Sequence, residues 1–85
     1  MLYFLYAIRD AKSRFMPCNV DLNDACAVRN FEHAVRQPDS LLRSHPADYS
    51  LYKVGSYDDV GGYVEPINPP KLLCDAAQCL QKEGE

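Results

Sequence analysis

The strongest constraint on the fold is the first apolar run. Leu2 to Ile8 is an unbroken series of aliphatic and aromatic residues. A strand with apolar groups on both faces belongs at the centre of a sheet or under an interface, since a half-solvated strand would alternate with polar residues. The run is far shorter than the ~20 residues a membrane-spanning helix needs. It has no basic start and Arg9-Asp10 ends it early, so it reads as a buried strand rather than a secretion leader. The chain has 85 residues. A chain of this size buries roughly 60–65% of its unfolded surface, which allows one modest core and no large cleft.

The remaining elements follow from local patterns. Asp10 to Ser13 is a polar turn, and Arg14 to Cys18 reads as a returning second strand. Pro17 cannot donate a ladder hydrogen bond, so that strand should lie at an edge. Asn23 or Asp21 is placed to cap a helix, with Asp24 in its first turn. Ala27, Val28, Phe31, Ala34 and Val35 recur at three- and four-residue spacing and form one apolar stripe, and Pro38 ends the helix. Glu32 and Arg36 are an i,i+4 pair on another face. Ser44 to Asp48 reads as a turn, with Ser44 and Asp48 bonding nearby backbone N–H groups.

Tyr49 to Tyr57 reads as a third strand, with Tyr52 and Val54 on one face and Leu51, Lys53 and Tyr57 on the other. Asp58 to Gly62 is a hairpin loop and Tyr63 to Glu65 a fourth strand. Residues 67–85 read as an appendage to a domain of residues 1–66. In that reading Pro66 to Pro70 is a stiff linker, Lys71 to Lys82 is an amphipathic helix, and the final residues fray. The expected fold class is α+β: ββαββ with one helix on a roughly four-stranded antiparallel sheet, plus a C-terminal helix.

Charge and cysteine usage narrow the function classes. The net charge is −3. Residues 1–45 carry six Lys/Arg against five Asp/Glu, and residues 46–85 carry three against seven. Duplex-DNA binders normally show a basic footprint, so a nucleic-acid site here must be local to the first half or rely on stacking. Cys18, Cys26, Cys74 and Cys79 contain no C-x-x-C pair and lack zinc-site spacing. They read as free thiols of a reducing compartment that behave as small hydrophobes.

Catalysis finds little support. His33 lies mid-helix and His45 precedes a proline, and neither has an evident nucleophile and orienting partner. Asp58-Asp59 lacks the further oxygen ligands of a calcium loop and suits a turn. No phosphate-cradling glycine pattern occurs. The expectation is a binding protein with no catalytic residues, no metal and no cofactor.

Two binding modes fit the residues. Arg9, Lys12 and Arg14 cluster at the first hairpin beside Tyr3, Tyr6 and Phe15, and Lys53 and Tyr57 are read on one face of the third strand. Cations interleaved with aromatic rings suit single-stranded DNA, because bases stack on rings while cations follow phosphates. The nucleic-acid-binding candidates are Arg9, Lys12, Arg14, Lys53, Tyr3, Tyr6 and Tyr57. Strand tyrosines more often pack in cores, so exposure decides whether the stacking face exists. The alternative is a homodimeric protein-interaction module, since a short domain with surplus apolar surface often dimerises.

The segments Tyr6-Ala7-Ile8-Arg9-Asp10, Arg14-Phe15-Met16-Pro17 and Asn23 to Phe31 resemble the small nonstructural protein of gokushoviruses, single-stranded-DNA phages of the microvirus group. The likeness is clearest at His45-Pro46-Ala47-Asp48-Tyr49-Ser50-Leu51-Tyr52-Lys53-Val54-Gly55-Ser56-Tyr57-Asp58-Asp59 and covers roughly residues 2–66. The resemblance implies a nonstructural role, DNA binding or participation in the switch to single-stranded genome synthesis, and residence in the cytoplasm of the host bacterium. It brings no known active site, and it makes a phage or host replication factor the expected partner of the homodimeric alternative.

Overall fold

The computed structural model describes residues 1–83 and shows an α+β fold. The strands are β1 (Leu2–Asp10), β2 (Asn19–Asp21), β3 (Tyr49–Asp58) and β4 (Tyr63–Asp75). The helices are α1 (Asp24–Arg36), the single turn α2 (Leu41–Ser44) and α3 (Ala76–Glu83), with a 3-10 turn at Pro46–Asp48. The antiparallel sheet has the order β2-β1-β3-β4, which puts the doubly apolar β1 inside it, as its composition requires.

Helix α1 starts where its cap dictates. The Asn23 side chain accepts a hydrogen bond from the Cys26 N–H at 2.9 Å, which satisfies one of the free donors of the first turn. Ala27, Phe31 and Val35 from its apolar stripe are buried against Tyr6, Tyr49, Leu51, Ala76 and Cys79. The three helices touch one another and lie on the same side of the sheet as this core. Among the described residues no helix is long and apolar enough to cross a membrane.

Three expectations change. The second strand begins at Asn19, not Arg14. The segment before it still runs beside β1, through an isolated bridge between Arg9 and Phe15 and a bond from the Met16 N–H to the Ile8 carbonyl at 2.8 Å. Pro17, which has no N–H, falls where this pairing is interrupted before it resumes one residue out of step at Tyr6–Asn19.

The second change concerns residues 67–75. They form no linker and no helix but continue β4, which is bulged between the Gly55–Pro66 and Lys53–Lys71 pairs and includes a cis Asn68–Pro69 bond. Helix α3 begins only at Ala76, and Ala76 and Cys79 belong to the main core. The expected fraying of the final residues falls on 84–85, outside the described residues. Third, the Ser44 hydroxyl accepts from no backbone N–H among the described residues: it donates to the Leu41 carbonyl, while Ser40 accepts from the Leu42 N–H and starts α2.

Candidate nucleic-acid interface

The sheet has a covered face and an open face, and one residue decides which side chains share each. Along the first half of β1, Tyr3 opposes Tyr57 and Leu5 opposes Gly55. Beyond a register shift, Tyr6 opposes Lys53, Ala7 opposes Tyr52 and Arg9 opposes Ser50. The unpaired extra residue is Val54. A bulge of one residue inverts the alternation of faces past that point.

Lys53 and Tyr57, expected together, therefore lie on opposite faces. Lys53 points to the covered side, where its Nζ sits 3.1 Å from Asp24 Oδ1 on α1 and 3.9 Å from the centre of the Phe4 ring. Only 16% of its side chain is exposed, so it is committed to joining sheet and helix rather than to a phosphate.

Tyr6 is also on the covered side and only 2% exposed. Its hydroxyl donates to Asp24 Oδ1 at 2.7 Å. Burial and the neighbouring carboxylate push the Tyr6 pKa up, while the Tyr6 hydrogen bond and the Lys53 ammonium hold Asp24 below the usual carboxylate range. A ring in that position offers no stacking surface, so Tyr6 is part of the core and not of an interface.

The other candidates remain together. Tyr3 and Tyr57 are a half-buried cross-strand pair on the open face. Arg9 follows on the same face, and the turn beyond it carries Lys12 and Arg14. All three cations are exposed and have no ion-pair partner among the described residues. The turn is fixed by Asp10, whose carboxylate accepts from the Lys12 N–H at 2.9 Å and whose N–H donates to the Arg14 carbonyl at 3.0 Å.

Two further aromatics belong to this face. Phe15 bridges to Arg9, and its ring meets Tyr52 edge to face with centroids 5.3 Å apart. The sequence shows Phe15 among the cations but separates Tyr52 from Tyr57 by an odd spacing. Only the extra Val54 reunites them. The open face is thus an aromatic row of Tyr3, Tyr57, Tyr52 and Phe15 that ends in three cations, with Val64 and Leu72 of β4 beside it.

No set of His, Cys, Asp and Glu residues that could hold a metal occurs among the described residues. His33 and His45 hydrogen-bond to the nearby Gln37 and Ser44 at the surface. Among the described residues no disulfide joins the four cysteines: Cys18 is exposed, and Cys79 is buried beside Cys74. Burial and the adjacent Cys79 push the Cys74 thiol up to about 12.

No curated protein and no solved structure matches the chain. One family does, and over more of the sequence than the residue 2–66 likeness, because the match runs through β4 and into α3. A description of the Phage ORF5 protein family fits residues 3–79, and the chain belongs to that family.

Proposed function

We propose that this phage protein binds single-stranded DNA as a non-catalytic replication accessory, and that it is the nonstructural protein of a gokushovirus acting in the cytoplasm of the host bacterium. The observation that carries this reading is the open sheet face. Aromatic rings from β1, β3 and the edge segment are aligned there, and the row ends in the unpaired Arg9, Lys12 and Arg14. Stacking contributes about 1–3 kcal/mol per base, so three or four rings can hold a single strand on an acidic protein where duplex binding would fail.

The experiment is a fluorescence-anisotropy titration with a labelled single strand and its duplex at two salt concentrations. The single strand should bind preferentially. Three phosphate contacts predict a slope of about −2 in log affinity against log salt. Arg14→Glu should weaken binding and flatten that slope, and Tyr57→Ala should weaken binding without changing it. Equal affinity for the duplex, or no binding at micromolar protein, would refute the proposal.

A further inference from the structure

We infer that, when no single strand is present, the open sheet face is covered by a second copy of this chain, packed face to face about a two-fold axis. The face is unpartnered and apolar at its margins: Val64 is 61% exposed, Val20 55% and Leu72 49%. Large apolar patches of this kind mark interaction surfaces. Its size suits a pair. Strands of nine, three, ten and thirteen residues, about 4.8 Å apart and rising about 3.3 Å per residue, give roughly 500 Å² per copy, or about 1,000 Å² in all, near the lower bound for a specific interface.

The pattern of charge argues for a copy of the same chain. On the open face β1 reads Tyr3, Leu5, Ala7, Arg9, aromatic at one end and cationic at the other. A two-fold axis near its midpoint lays Arg9 of each copy over the Tyr3–Tyr57 pair of the other, a cation over aromatic rings. Sheets packed this way align within about 30° and interdigitate their side chains.

Rested on the single-strand reading above, the same contact is a regulatory one. The partner's rings engage Arg9, and its tyrosines cover the stacking row. Single-stranded DNA and the second copy then compete for one surface.

The test is sedimentation velocity of the full chain without DNA, from micromolar to hundreds of micromolar protein. A reversible dimer is expected. Val64→Glu and Arg9→Glu should each raise its dissociation constant at least about tenfold, while Leu41→Lys, a similarly exposed change on α2, leaves it unaltered. Circular dichroism confirms that each variant is folded. Adding an oligo-dT of about ten nucleotides should convert the dimer to DNA-bound monomers. A monomer throughout, a dimer that only Leu41→Lys disrupts, or a dimer that binds the oligonucleotide without separating would overturn the inference. A dimer sensitive to Val64→Glu with no DNA binding at all sustains the self-association and refutes the proposed function instead.

Discussion

The bond from the Tyr6 hydroxyl to Asp24 can be weighed with a double-mutant cycle. It is 2.7 Å long, charge-assisted, and joins the central strand to the first turn of α1. Tyr6→Phe removes a donor but leaves Asp24, which is 39% exposed, in contact with Lys53 and solvent. That change should cost about 1 kcal/mol. Asp24→Ala strands a hydroxyl on a residue only 2% exposed and also removes the Lys53 pair. The stranded hydroxyl costs about 1–3 kcal/mol. The half-exposed ion pair adds only about 0.5 kcal/mol. The expected total is about 2 kcal/mol, or roughly 8–16 °C in melting temperature for a domain of this size.

The two changes share one interaction, so the double mutant should be more stable than their sum predicts by about 1 kcal/mol. Urea unfolding of the four proteins at pH 7 measures this. The coupling must also depend on pH. The folded-state pKa of Asp24 is depressed, so its contribution is complete above the unfolded value near 4 and is lost as pH falls through the lower folded value. Single mutants whose effects add to within about 0.3 kcal/mol, or a coupling unchanged at pH 2, would refute the reasoning.

Two other outcomes follow from the packing. A methyl group built on Gly55 would lie 2.7 Å from the Glu65 carbonyl oxygen across the β3–β4 ladder; Gly55→Ala should destabilise by about 1–3 kcal/mol, and an unchanged urea midpoint would contradict that close approach. A chromogenic disulfide reagent at pH 8 should modify Cys18 at once but Cys74 and Cys79 only after denaturation, because one of these has its thiol pushed up to about 12 and the other is buried; equal rates for all thiols in the native protein would show that this end of the core is open.

Features set by neighbouring residues were legible in the sequence. The apolar continuity of Leu2 to Ile8, the Asn23 cap with its stripe, and the glycines of the 58–62 loop each act over a few positions, and each element stands where expected. The errors have long-range causes. Leu72, Leu73, Ala76, Ala77 and Leu80 share helical spacing, yet the first two end a strand and the rest begin a helix. A strand that runs into a helix can carry the same apolar set as one continuous helix. Pro66 to Pro70, expected as a stiff linker, lie instead within β4 at its bulge, where pairing with β3 holds them.

The candidate site was half legible. The cations, Tyr3 and Tyr57 are each named by local reading, but the pairing of the two tyrosines and the faces are not, because pairing is long-range and counting by twos fails at a bulge. Val54 sends Lys53 into the helix-facing side and Tyr57 to the open one. Nothing in its chemistry distinguishes it from an ordinary strand valine. The position of the extra residue is set by the pairing of β3 with both of its neighbours, each of which shifts register near it.

The proline-broken β4 has a consequence for behaviour at high concentration. It is one rim of the sheet, and Pro66, Pro69 and Pro70 remove three N–H groups along it while its bulge bends the strand. The opposite rim is only three residues long and is preceded by Pro17. Neither border offers the long, straight row of donors and acceptors that templates strand addition from another molecule. The folded protein is thereby protected at high concentration from growing into cross-β fibrils, even with Val64 and Leu72 exposed on one broad face.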